Sequence, residues 1–291
     1  MALASAFSFS LNVVLVRLAY EAGSDPLTVN TVRLVVFAPS VYLYLRFRRV
    51  PRRLPPADRA LSAALGLMLA GQSLVLLIAF EYIAVGLAVL LFYTYPLMIA
   101  AFAWLSGRER ASAGRAVAML VAFGGLALAL RAPTGALDWR GAACAAAAAA
   151  GMAAILIASE RTLQRRDNRV VMLHIMGVAA VVLLAALLAS QAPALPVGGA
   201  GWLALMGATL FYLTATVCLF TAVGLIGPLR TSVIDTSSPA WSILFALALL
   251  DEQLAPSQAV GAALVIAAVA AVQLLYRRGS AAPDSAPEAR S

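Results

Sequence analysis

Apolar residues in this chain come in blocks of about twenty, and short polar or Pro/Gly-rich stretches divide the blocks. Twenty helical residues rising 1.5 Å each match a hydrocarbon core about 30 Å thick. Ten blocks can be read, at roughly 2–20, 27–45, 60–80, 83–104, 113–130, 139–159, 170–189, 201–223, 225–250 and 256–276. Their length and Ala/Leu content predict helices, since a membrane strand would alternate over about ten residues. Backbone amides in lipid must be satisfied internally, so the pattern predicts an all-α integral membrane protein with ten transmembrane helices. The first block starts almost at Met1, is too long for a signal sequence and meets no small-residue cleavage site, so it is read as the first span. The end of the chain, "GSAAPDSAPEARS", lacks an apolar run and predicts a disordered cytoplasmic tail over 277–291.

Composition agrees: 63% of residues are hydrophobic and 12% charged, with mean hydropathy +0.92. A net charge of +8 would suggest nucleic acid in a soluble protein. Here the arginines have another explanation. With the N-terminus inside, the loops after the even-numbered spans and the tail carry 17 of the 21. Arg131 and Arg140 lie in outer loops, Arg17 and Arg33 within spans, and Glu21, Asp25, Asp251 and Glu252 make the other outer turns acidic. This bias puts both termini in the cytoplasm. The loops lack stacking aromatics between basic residues, which argues against nucleic acid. Arginine without lysine, together with alanine-rich spans, suggests a GC-rich bacterial coding sequence and hence the bacterial inner membrane. Cys144 and Cys218 fall mid-span as apolar filler. His174 is the single histidine, so neither a metal nor a cofactor is expected.

One passage is written twice. "FYTYPLMIAAFAWLSGRER" (92–110) returns as "DTSSPAWSILFALALLDEQ" (235–253), with Pro96 and Pro239 each thirteen residues before a glutamate, Glu109 and Glu252. The spacing is half the chain. Residues 1–131 and 138–276 therefore read as two copies of a five-helix unit. Five is odd, so the second copy enters the membrane inverted. The loops agree, "GRERASAGR" being basic where its counterpart "LDEQLAP" is acidic. Inverted repeats are a device of secondary transporters.

The chain resembles the drug/metabolite transporter superfamily, in its ten-helix EamA-type branch. The resemblance is carried by "FSLNVVLVRLAYEAGSDPLTVNTVRLVVFAP", "YIAVGLAVLLFYTYPLMIAAFAWLSGRER" and "IGPLRTSVIDTSSPAWSILFALALLDEQLAPSQAVGAALVIAAVAAVQL". One departure is Ser238, where the family often has glutamate before the proline of helix nine. The resemblance implies a basket-shaped bundle with a central cavity lined by helices one, three, four, six, eight and nine, and with helices five and ten as supports. It implies small-metabolite substrates, with exporters of aromatic amino acids the nearest analogy.

From the residues alone, helix nine is the most polar span, with Thr231, Ser232, Asp235, Thr236, Ser237 and Ser238 before Pro239. A lone carboxylate at mid-depth costs at least about 2.5 kcal/mol, so Asp235 faces water or a partner, or holds a proton as a packing residue. Phe92, Tyr93 and Tyr95 before Pro96 suit a small amphipathic or aromatic substrate. Asn12, Gln72, Phe211, Tyr212, Thr216 and Trp241 are further binding candidates. Arg33 and Glu81 are expected either to pair across the outer ends of helices two and three or to serve transport. Pro96 and Pro239 are expected to kink their helices. No metalloprotease, nucleophile-elbow or phosphate-loop motif is present, so the reading is a carrier rather than an enzyme. The expected function is alternating-access export of aromatic or hydrophobic amino acids or related amphipaths, from a monomer or weak homodimer in the bilayer. An uptake carrier or a drug/proton antiporter is the alternative, with a channel or an intramembrane enzyme more distant. Protons are the candidate coupling ion, through Asp235 or His174, against facilitated movement without one.

Overall fold

The computed structural model describes residues 1–83, 85–108, 112–129, 138–191, 193–238, 240–242, 244–245 and 256–280. Among these every regular element is helical: α1 (Ala2–Glu21), α2 (Pro26–Phe47), α3 (Pro56–Tyr82), α4 (Val85–Phe92), α5 (Tyr95–Leu105), α6 (Ala113–Ala129), α7 (Trp139–Arg165), α8 (Asn168–Ser190), α9 (Gly198–Ile226), α10 (Pro228–Asp235) and α11 (Pro256–Ser280). Helical residues also occur between 238 and 245. Seven stretches are long and apolar enough to cross a membrane, and α6 and α11 are apolar over shorter lengths. The fourth span is α4 with α5, and the ninth is α10 with the helical residues after it. Each was expected as one span kinked at its proline. The long helices also outrun their apolar blocks: α3 starts at 56 and α7 runs to 165, because polar turns outside the hydrocarbon continue the same backbone bonds.

The starts of the helices follow from local chemistry. Asp25 caps α2 by accepting from the Thr28 amide at 2.9 Å, with Pro26 in the first turn, where its missing N–H costs nothing. Asp167 caps α8 by accepting from the Arg169 amide at 3.0 Å. Between α9 and α10, Gly227 takes φ +80°, a left-handed conformation that favours glycine, and Pro228 then opens α10. That accounts for the "GP" of "IGPLRTS".

Packing pairs the two halves. The most extensive contacts are α1 with α9, α6 with α11, α3 with α7, α3 with α8 and α2 with α8. Exchanging the halves turns α1·α9 into α7·α3 and maps α2·α8 and α6·α11 onto themselves, while the counterpart of α3·α8, α2·α9, is much the weaker contact. Close approach depends on small residues. A Cβ on Gly125 of α6 would lie 2.9 Å from the Gly261 carbonyl of α11, and one on Gly66 of α3 would lie 2.5 Å from the Ile175 carbonyl of α8. Phe37, Ile155, Leu156, Met172, Ile175, Met176 and Leu183 fill the core. Large apolar side chains such as Leu105, Leu203 and Leu210 point outward, as lipid-facing residues do.

Contacts between chain turns sort the molecule into two ends. At one, the Val197 amide donates to the Ala22 carbonyl at 2.8 Å, and the Ala194 amide donates to Asp25 at 3.1 Å. At the other, Arg166 pairs with Asp58 at 2.7 Å and Arg108 with Glu160 at 3.1 Å. Helix α1 runs from the second end, where Ala2 packs on Ala222, to the first. Helix α7 runs the other way, from Gly141 beside Ile83 to Glu160. The first helix of the second half therefore runs opposite to the first helix of the first half.

Candidate functional site

The two interrupted spans break in the same register. Residues 93–94 separate α4 from α5, and residues 236–237 end α10, 143 positions further on. The bonds repeat at that offset. The Thr94 hydroxyl donates to the Leu91 carbonyl at 2.7 Å, and the Ser237 hydroxyl donates to the Ile234 carbonyl at 2.7 Å. The Thr94 amide reaches back to Leu91 and the Ser237 amide to Ile234, each at 3.1 Å and three residues away rather than four. Pro96, buried in the first turn of α5, has no N–H to offer the Phe92 carbonyl. Pro239 stands in the same relation to Asp235 in sequence, but itself lies outside the described residues, as do Glu109, Asp251 and Glu252. The predicted kink is thus a break at Pro96.

The break in the ninth span carries the buried carboxylate. Asp235 is 6% exposed. The Tyr95 hydroxyl donates to its Oδ2 at 3.0 Å, while the hydroxyls of Ser238 and Ser5 donate to Oδ1 at 3.4 and 3.5 Å. Ser10 of α1 donates to the Ser238 carbonyl at 2.7 Å. Around Tyr95 the rings of Phe92 and Tyr93 stand at 5.6 and 6.1 Å between centroids. Residues from both breaks and from α1 therefore meet at one carboxylate. None of the ion pairs among the described residues involves it.

A second polar cluster lies further along α1. Asn12 is buried and donates from Nδ2 to the Ala208 carbonyl of α9 at 2.6 Å, which turns its Oδ1 towards α2. Arg33 donates to that oxygen at 3.1 Å and to Asn30 Oδ1 at 3.3 Å. Its guanidinium lies 4.7 Å over the Tyr212 ring, which in turn meets Phe9 edge-on at 6.0 Å. The Arg33 Nε is buried without a hydrogen-bond partner. The expected Arg33–Glu81 pair does not form. Glu81 is exposed at the end of α3, and the amide oxygens of Asn12 and Asn30 lie within reach of the guanidinium instead.

Other candidates fall elsewhere. Gln72 faces α7, where its Cβ lies 2.9 Å from the place a Cβ on Gly151 would take, and its Oε1 is buried without a partner. Thr216 is buried one turn from Tyr212, and Phe211 is half-buried. Trp241 turns away from Asp235. With Leu3, Ile234, Ser237, Ile266 and Leu274 it lines a cavity of about 480 Å³ among α1, the ninth span and α11, and its ring stands 6.3 Å from Phe7. Pro96 and Tyr93 border a cleft of about 20 Å³ against α6 and α11, room for about one water. The His174 Nδ1 bonds the Val170 carbonyl of its own helix at 2.8 Å. Arg17 pairs with Glu21 at the exposed end of α1.

Sequence reading missed Ser5, Ser10, Phe9 and Asn30. The signal for α1 was available: Ser5, Phe9 and Asn12 stand at i, i+4 and i+7, one face of a helix. At the arginine-rich end, Arg108 and Glu160 cap a cavity of about 200 Å³ floored by Ile99, Ile157, Pro228 and Leu229.

Two half-length repeats running in opposite directions, each with one span broken at the same place and the breaks facing each other, define a secondary-transporter architecture. The chain belongs to the EamA-like transporter family, whose profile matches residues 1–131 and again 139–274. Members of this family are membrane transporters of small solutes, and this chain is a multi-pass membrane protein of that kind. A solved structure titled only "Crystal structure of protein" superposes with a TM-score of 0.76 at 20% identity, covering 94% of this chain and 99% of that one, which shows a shared fold. No curated protein matches.

Proposed function

We propose that this transporter carries small amphipathic metabolites, foremost amino acids with aromatic or hydrophobic side chains, out of the cell across the bacterial inner membrane by alternating access. The observation that carries this reading is the meeting of both span breaks at Asp235, with Tyr95 bonded to it and the tilted rings of Phe92 and Tyr93 beside Tyr95. Broken helices at matching positions of two inverted halves mark the binding region of such carriers. Rings with polar tips beside a carboxylate suit a substrate with an apolar body and a polar head. Outward direction rests on the family analogy, and cytoplasmic termini rest on the arginine bias of the loops. Facilitated movement is favoured over proton coupling, since no second carboxylate and no histidine is among Asp235's bonded partners.

The test is counterflow in proteoliposomes loaded with unlabelled phenylalanine, tryptophan, leucine, glutamate or arginine, with and without a pH gradient. Uptake of labelled phenylalanine or leucine that saturates and ignores the gradient is the expected result. Exchange confined to glutamate or arginine would overturn the substrate class. Uphill uptake driven by the gradient alone would overturn facilitated movement.

A further inference from the structure

Arg33 is a cation inside a membrane span whose two bonded partners are neutral amides. No carboxylate lies within ion-pair distance of it among the described residues. A charge there is costly, and arginines that stay at such depth face a partner or a water-filled space. The structure invests in holding this one: Asn12 is pinned to α9, Asn30 lies one turn before it, and the Tyr212 face backs the guanidinium. The buried Nε still lacks an acceptor. A guanidinium fixed at one edge with a donor to spare is complementary to a planar carboxylate, which it binds through parallel N–H bonds.

We propose that Arg33 is the substrate's carboxylate anchor, with the apolar part of the substrate lying against Tyr212 and Phe9. The proposal rests on the transport reading above and narrows its substrates to small organic carboxylates. Ser5, which contacts Asp235, and Asn12, which contacts Arg33, are seven residues apart on one face of α1, a rise of about 10 Å, so the anchor and the Asp235 cluster follow one another along the same helix.

The experiment compares phenylalanine with phenylalaninamide, which keeps the ammonium and the ring but has no carboxylate, in counterflow through the wild type, Arg33→Gln and Arg33→Lys. The wild type should prefer phenylalanine by about 10- to 100-fold in apparent KM, the range of a lost hydrogen-bonded charge pair. Arg33→Gln should erase the preference by raising the KM for phenylalanine far more than that for the amide, and Arg33→Lys should restore part of it. An equal loss for both compounds in Arg33→Gln, or a preference that survives it, would overturn the anchor and leave Arg33 a brace between helices. Thermal shifts of the detergent-solubilised protein with benzoate and phenylacetate separate the two readings. If the wild type exchanges neither phenylalanine nor its amide, the amino-acid reading falls. The anchor then stands if both acids stabilise the wild type and not Arg33→Gln, and falls if they do not.

Discussion

Asp235 is held by three hydroxyls at unequal distances, which ranks them. Tyr95 at 3.0 Å is in good hydrogen-bond range, while Ser238 at 3.4 Å and Ser5 at 3.5 Å are marginal. A hydrogen bond to a charged group is worth about 1.5–3 kcal/mol, so Tyr95→Phe should slow transport by about tenfold or more, and Ser5→Ala by less than about threefold. Initial rates in proteoliposomes check this, and a Ser5→Ala defect as large as that of Tyr95→Phe would refute the ranking. A Tyr95→Phe/Asp235→Asn cycle should be non-additive. The sequence marked both residues, yet not their meeting, because they are 140 positions apart. It also marked Arg33 and mistook its partner. Which side chains a buried arginine meets depends on the rotation of its helix, and opposite charge at similar depth does not set that rotation.

The helices themselves were legible through their apolar blocks, and the prolines marked where two of them bend, though not that the helix stops there. A run such as "VGLAVLLFYTYPLMIAAFAWL" is apolar but for Tyr93, Thr94 and Tyr95. The interruption lies in three-residue bonds at Thr94 and Ser237 that hydropathy does not register. The caps were equally local. Burial raises the Asp25 carboxyl, but bonds from the Thr28 hydroxyl, the Thr28 amide and the Ala194 amide outweigh it and hold the group below its ordinary value. The Arg169 side chain and amide lower Asp167 in the same way. A carboxyl depressed on folding contributes stability above its unfolded pKa, about 3.9, and loses it as pH falls through the folded value. Asp25→Ala and Asp167→Ala should each lower stability by about 1 kcal/mol or less at pH 7, these ends being well solvated. The deficit should stay level down to about pH 5 and shrink as pH falls further, through the depressed folded values. Thermal unfolding of both variants across that range is the measurement, and a deficit that persisted in acid would mean packing rather than capping.

On the scale of the molecule, the two ends differ in charge. Arg108, Arg166 and Arg169 gather at one, bonded to Glu160, Asp58 and Tyr44, while Asp25 ties the other shut against the α8–α9 turn. If the arginine-rich end faces the cytoplasm, single cysteines placed between residues 46 and 59 should resist an impermeant maleimide in intact cells and react after lysis. Labelling of intact cells would invert the topology.

The matched breaks have one more consequence. Under the alternating access proposed above, identical halves would make the inward-facing and outward-facing forms copies related by a two-fold rotation in the membrane plane, equal in energy, and an empty carrier would spend equal time in each. At the breaks the backbone keeps that symmetry, down to the bonds of Thr94 and Ser237. The side chains do not keep it: 143 positions before Asp235, at the same point of the other break, stands Phe92. A carboxylate facing a ring removes the degeneracy. The resting poise of the carrier is therefore set by what hangs from the two hinges, and it can drift by substitution at one position while the hinges themselves stay unchanged.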